Sequence, residues 1–495
     1  MTAPRGGSLS ALAARGAAVT LASQVTRIIL QLASLAVLAR LLAPADYGLV
    51  AMAVVFIGIA EIIRDFGLST AAVQAPILTP AQRDNLFWAS TALGSALLVS
   101  TLLAAPLIAS VYGNAEVEGI TRALAVVFVL NAMAAQYRAG LYRDLRFGRL
   151  AVVDLTAQFL GLVTGVVLAV VGSGYWALVG QQLVQAGLAL ALVAISGRWL
   201  PAWPRRGVGT RPFFSFGGRL LGGQLIGYAG RNVDTLIIGQ RFGSADLGVY
   251  NRAFQLLMVP LGQIRQPSTS VALPVLSRLQ DDPDRYGAYL LRGQVAFGYT
   301  LVPALAVAAG AAAPLVEFFL GDQWSRAAPL MQALAVGALF ETLTYVAFWA
   351  YVSLGLTAQL LQFSIVSSVL KAVFVLVGSG WGVQGVAVGF ALGPVLDWPL
   401  SLWWLSRSSK LPLPVRGLVV GVLRCAAVAV AGGAAAWAAV ALASGLPAVL
   451  QLAAAIAACA MAYALMALAL PPVRHDVADV VDTLRRVRPG RRRSS

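Results

Sequence analysis

The sequence predicts an all-α polytopic membrane protein of about fourteen transmembrane helices, arranged as two six-helix repeats followed by two further helices. Composition is the first reason: 59% of the 495 residues are hydrophobic and 11% are charged, against roughly 25% charged in an ordinary soluble domain. Apolar runs of about 20 residues, enough to cross a bilayer as helix, also recur from end to end. Finally, LARLLAPADYGLVAMA (Leu38 to Ala53) returns in altered form as IGQRFGSADLGVYNRA (Ile238 to Ala253), a register shift of 200 residues. The shift aligns Gln24 with Gln224, Ala45 with Ala245, Asp46 with Asp246, Gly48 with Gly248 and Ala53 with Ala253. A second echo sets Gly172-Ser173-Gly174 against Gly378-Ser379-Gly380. Both echoes lie at joints between long apolar segments. A polytopic chain of two like halves is the usual architecture of a transporter.

The first repeat takes spans at 17–42, 47–67, 86–111, 117–137, 150–171 and 175–197. Span one is too long for a cleavable signal peptide and carries Arg27 near its middle. After span four, RAGLYRDLRFGRL (Arg138 to Leu150) mixes four arginines with Leu141, Tyr142, Leu145 and Phe147, the pattern of a short amphipathic helix lying in the interface. The second repeat takes spans at 213–240, 248–273, 293–313, 328–352, 359–377 and 383–405. Span seven holds Gly217, Gly218, Gly222, Gly223, Gly227 and Gly230. Their i, i+4 spacing suits close helix packing or a helix that bends or slides during transport. Pro260 and Pro267 in span eight, and Pro394 and Pro399 in span twelve, are kink sites. Two last spans, 418–443 and 449–470, have no counterpart. Beyond them Val473, Val477, Val480, Val481 and Leu484 keep helical spacing before a basic PGRRRSS end. The expected divisions are an N-terminal six-helix lobe (1–212), a C-terminal six-helix lobe (213–410), two additional helices (411–470) and a basic cytoplasmic tail (471–495).

The net charge of +16 could suggest nucleic acid, but its distribution argues against that. With the N-terminus cytoplasmic, the inner segments hold 24 Lys and Arg and the outer connections hold two, Arg241 and Arg326. The positive-inside rule then puts both termini in the cytoplasm and requires an even number of spans. Cys425 and Cys459 both fall inside spans and read as apolar packing residues rather than a disulfide. His475 is the only histidine, so no His-based metal cluster exists; no metal and no cofactor are expected.

LARLLAPADYG (Leu38 to Gly48), RDLRF (Arg143 to Phe147) and NVDTLIIGQRFGSADLGVYNRA (Asn232 to Ala253) resemble the bacterial polysaccharide transporter family. These are lipid-linked oligosaccharide flippases of the multidrug and oligosaccharidyl-lipid exporter superfamily, and the likeness covers roughly residues 10 to 410. The resemblance implies two six-helix bundles around a central cleft that opens alternately to the two sides, lined by spans one, two, seven and eight. It implies a multi-pass protein of the bacterial plasma membrane. The substrate would be an undecaprenyl-diphosphate-linked oligosaccharide carried to the outer leaflet for surface polysaccharide biosynthesis. Membrane lipids are the other expected partner, with a polysaccharide polymerase and other biosynthetic proteins as candidates.

Ionisable side chains at membrane depth cost several kcal/mol unless they face protein or water, so they mark candidate sites. They include Arg27; Glu61, Arg64 and Asp65 in span two; Arg231 and Asp234 in span seven; and Arg252 in span eight. Glu341, Lys371, Asp397 and Arg424 follow in spans ten to thirteen. Glu61, Arg64 and Asp65 share one helix face and suit a register-fixing ion pair, whereas span one offers Arg27 no acidic partner. A polyprenyl diphosphate carries about two negative charges, and Arg forks match phosphate oxygens in bidentate geometry. Arg27, Arg231 and Arg252 are the preferred diphosphate contacts. Asp234 would orient Arg231 or bind a coupling cation. Gln24, Gln224, Tyr228 and Asn232 are placed to meet sugar hydroxyls.

Two rival readings are a cation-coupled multidrug antiporter of the same fold and a membrane glycosyltransferase or polymerase. The antiporter needs buried carboxylates, yet span one has none. The enzyme needs acidic groups on long outer loops, yet these are short, and the Asp-x-Asp at Asp282 to Asp284 is a helix-start signal in a cytoplasmic turn. The sequence therefore reads as a transporter, not an enzyme.

Overall fold

The computed structural model describes residues 6–65, 72, 73, 75, 78–208 and 211–478, and their side chains except those of 6–21, 65, 211–223, 226, 264, 266 and 267. Asp65 and the glycines at 217, 218, 222 and 223 fall outside the described side chains. All regular structure among the described residues is helical. The first repeat forms α1 (Gly6–Leu41), α2 (Pro44–Asp65), α3 (Pro80–Tyr112), α4 (Glu116–Arg143), α5 (Phe147–Val170) and α6 (Trp176–Gly197). The second forms α7 (Arg211–Arg278), α8 (Pro283–Gly310), the short α9 (Ala312–Leu320), α10 (Ala327–Ser353), α11 (Thr357–Gly378) and α12 (Gly382–Ser408). Helices α13 (Val415–Leu442) and α14 (Ala448–Ala469) follow. Eleven stretches are long and apolar enough to cross a membrane, among them 357–408, which holds two helices. Separating those two gives twelve helices among the described residues; α7, broken at Gly243, is not among these stretches, so the expected count of fourteen spans is approximate.

Helix ends follow local chemistry. Thr79 and Gln82 form a capping box on α3: the Thr79 hydroxyl accepts from Gln82 N at 3.2 Å, and Gln82 Oε1 accepts from Thr79 N at 3.0 Å. Pro80 occupies the first turn, where no intrahelical donor is lost. The helix stops at Gly113, whose φ of 62° suits glycine. Asp282 caps α8 by accepting from Arg285 N at 3.1 Å, ahead of Pro283, so the Asp-x-Asp is a helix start. At the repeat joint, Asp46 accepts from Ala43 N at 2.9 Å at the head of α2. In the second repeat the mate of Ala43 is Gly243, which breaks α7 with φ 83° and ψ −176°. That conformation is open to glycine and closed to most other residues.

The chain packs as two compact units, Met1–Asn251 and Arg252–Ser495. In the first, α1 lies on α5, α2 and α3 on α4, and α4 and α5 on α6. Phe87, Tyr137, Leu141, Leu150 and Val193 make one of its cores, with Trp88 and Trp199 against it. Leu141 and Leu150 are therefore core residues, and 138–150 is no interfacial helix. The segment is instead the end of α4, a turn with Leu145 at φ 54°, and the start of α5. Arg143 there donates to the carbonyls of Ala72 (2.8 Å) and Ala75 (2.6 Å), a structural clamp rather than a headgroup contact.

Within the first unit the two echoed segments meet. A side chain on Gly48 would overlap the carbonyl of Ser244, and one on Gly248 would overlap the carbonyl of Pro44. Pro44 and Ser244 are themselves mates at the 200-residue shift, so the contact is reciprocal. In the second unit α8 lies on α10 and α13, α10 and α11 on α12, and α13 on α14. Cys425 and Cys459 are free and buried: Cys425 packs on Gly298 and Cys459 on Gly432. The start of the tail docks there too, with Val473 2% exposed.

Candidate functional site

Arg27 does have an acidic partner, supplied by another helix. Asp154 on α5 accepts from Arg27 Nη2 at 2.9 Å through Oδ2 and from Arg138 Nη2 of α4 at 2.7 Å through Oδ1. Gln158, one turn along α5, donates to the Arg27 carbonyl at 3.3 Å. Two guanidinium groups and one carboxylate carry a net +1. The Arg27 side chain is 44% exposed and Arg138 30%, so many of their donors face outward. Such a pair of forks can take an anion. Asp154 lies inside the predicted span 150–171 and could have been read as a membrane charge, but its partners are 127 and 16 residues away and no spacing rule links them.

The first arm of α7 holds the next candidates. Asp234 is 2% exposed and accepts from Tyr250 Oη at 2.5 Å. Tyr250 went unremarked in the sequence, although it replaces Val50 inside the echo, where a new buried hydroxyl requires an acceptor. Arg231 is exposed and lies beside Gly227, with its Nη1 3.2 Å from where a side chain there would begin. Tyr228 turns its hydroxyl towards α2, 3.4 Å from the Val54 carbonyl and tight against Gly58. Asn232 donates to the Tyr228 carbonyl at 2.9 Å. Gln24 is half-buried and Gln224 exposed. In α2, Glu61 and Arg64 pair at 2.6 Å, and Asn131 of α4 donates to Glu61 at 3.1 Å, as a register-fixing ion pair would.

In the second unit Arg252 is half-buried. Glu341 on α10 is held by Arg265, unmarked in the sequence reading, at 2.8 Å. Arg265 also donates to Thr342 at 3.0 Å and lies 5.6 Å from the Tyr345 ring centre. Asp397 on α12 accepts from Ser367 of α11 at 2.6 Å, and the Lys371 ammonium sits 4.6 Å from the Phe390 ring centre. Arg424 meets Asp476 of the tail at 3.2 Å, with Tyr299 donating to the same carboxylate at 3.3 Å. These groups hold helices together through charge and hydrogen bonds.

The family described as polysaccharide biosynthesis protein matches residues 37–329. Lipopolysaccharide biosynthesis protein WzxC of Escherichia coli K12 is 24% identical over 379 residues, covering 75% of this chain and 76% of that protein. Succinoglycan biosynthesis transport protein ExoT of Rhizobium meliloti is 24% identical over 309 residues, 62% of each chain. Among solved structures, the lipid II flippase MurJ in an inward closed conformation superposes with a TM-score of 0.71 at 12% identity, over 92% of this chain and 99% of that one. An inward-facing multidrug resistance MATE family transporter superposes with a TM-score of 0.57 at 16% identity, over 82% of this chain and 95% of that one. Both share the all-helical fold of this chain.

Proposed function

The chain belongs to the polysaccharide biosynthesis protein family, and from that premise we propose that it is a flippase for undecaprenyl-diphosphate-linked oligosaccharide units. It moves them by alternating access from the cytoplasmic to the outer leaflet of the bacterial plasma membrane for surface polysaccharide assembly. The observation that carries the reading is the cluster of half-open guanidinium groups inside otherwise apolar helices. A diphosphate beside a bulky glycan tolerates hydrocarbon no better than these arginines do, and bidentate pairing satisfies both. The lipid tail needs no such help and stays in the bilayer. Arg27, Arg231 and Arg252 are the diphosphate contacts, with Asp234 orienting Arg231 or holding a coupling cation. The lobes 1–212 and 213–410 are the moving parts, and both termini are cytoplasmic, a reading supported by the 24 to two division of Lys and Arg that this orientation gives.

Deleting the gene tests this in cells. Lipid-linked units are expected to accumulate in the cytoplasmic leaflet, out of reach of an impermeant lectin added to spheroplasts, and re-expression is expected to expose them. An unchanged leaflet distribution together with new sensitivity to cationic drugs would assign the multidrug antiporter reading instead.

A further inference from the structure

We propose that Arg138 and Asp154 belong to the diphosphate site: Arg138 is its second fork, and Asp154 holds the two forks together when no substrate is present. The inference rests on the flippase reading and adds the residues of α4 and α5 to those of α1.

Counts along the three helices place the cluster near the inner end of each. Arg27 lies fourteen residues before Leu41, about 21 Å along a helix, which leaves about 9 Å to the inner edge of a hydrocarbon layer about 30 Å thick. Asp154 lies seven residues into α5 from its cytoplasmic start at Phe147, about 10 Å. Arg138 lies five residues before the cytoplasmic end of α4 at Arg143, about 8 Å. This is the inner boundary of the layer, where a polyprenyl diphosphate waits to be moved.

The chemistry of the cluster suits capture followed by release. Two guanidinium groups held close repel each other, and Asp154 removes that repulsion by giving one oxygen to each. Each Arg has five N–H donors and most remain for a ligand. A headgroup of about two negative charges competes with the single charge of Asp154 for the same forks. The carboxylate therefore spaces the arginines and opposes irreversible capture. Asp154 is a positioning residue; Arg138 touches substrate.

Binding of farnesyl diphosphate, farnesyl monophosphate and farnesol to the purified full-length protein in detergent tests the assignment. The wild type is expected to prefer the diphosphate. Arg138→Ala is expected to weaken diphosphate binding about ten- to a hundredfold, the loss of one charge-assisted contact, and to leave farnesol binding unchanged. A merely structural role would lower binding of all three together. Should Arg138→Ala not fold, Arg138→Gln, which keeps length without charge, takes its place. Asp154→Asn is expected to change diphosphate binding, tighter if the lost competing charge dominates and weaker if the lost spacing of the forks dominates, with farnesol binding unchanged; unchanged diphosphate binding would remove Asp154 from the site. A wild type without preference for the diphosphate overturns the flippase reading itself. A wild type with that preference, kept in full by the Arg138 variants, overturns only this inference. Phosphatidylglycerol is expected to compete poorly; equal competition would make the cluster an ordinary lipid anchor and overturn the inference as well.

Discussion

An arginine inside a membrane helix is retained only if protein, water or substrate takes its charge, and this chain uses the first of these more than its sequence suggests. Arg265 goes to Glu341, Arg424 to Asp476, and Arg64 to Glu61. Only the last of these pairs could be read from spacing, because i, i+3 neighbours share a helix face. The others join residues 76 and 52 positions apart, which only the packing of helices can reveal. Arg27 is different in kind: its partner is already shared with Arg138, and its side chain is 44% exposed. Replacing Arg27, Arg231 or Arg252 by Ala is expected to cut surface glycan export by about ten- to a hundredfold, from about 1.5–3 kcal/mol for a lost charge-assisted contact. Membrane levels of each variant should stay near wild type. Normal export by all three would refute the diphosphate assignment.

Helices were the most legible elements, because a run of about 20 apolar residues has few alternatives in a chain this hydrophobic. The repeat was legible too, but not that its two copies touch. A string of residues shows that Gly48 and Gly248 correspond; only the fold shows each seated on the other segment's carbonyl. The segment 138–150 misled for a related reason. Leucines beside arginines suit an interfacial helix, and only the presence of α3 and α6 turns Leu141 and Leu150 inward. The glycine contact makes a sharp prediction, since backbone cannot rotate out of the way as a side chain can. Gly48→Ala and Gly248→Ala are each expected to destabilise the protein by about 1–3 kcal/mol, the usual range for overpacking. Gly187→Ala, with nothing within 4 Å of the new methyl, should be neutral or slightly stabilising. Thermal unfolding in detergent compares the three, and equal melting temperatures would show that the echoed segments do not meet in this way.

At the scale of the whole molecule, the proposed topology crowds basic residues into the inner connections, and the proposed substrate would bring about two negative charges to them. Carrying that headgroup outward takes negative charge from a negative cytoplasm to a positive exterior. The membrane potential contributes roughly 2.3 kcal/mol per charge per 100 mV. Two uncompensated charges thus gain about 4–5 kcal/mol, a bias of more than a thousandfold. A cation on Asp234 moving inward would add to this drive, and one moving outward would reduce it. The decisive measurement reconstitutes the protein in liposomes holding a lipid-linked oligosaccharide, sets the potential with potassium and valinomycin, and omits pH and sodium gradients. The fraction of glycan reached by an impermeant lectin should rise with protein and with a potential positive on the lectin side. Glycan that stays in its original leaflet at every potential, or that ignores potential and follows an imposed pH gradient, would contradict potential-driven transport of a diphosphate-linked lipid.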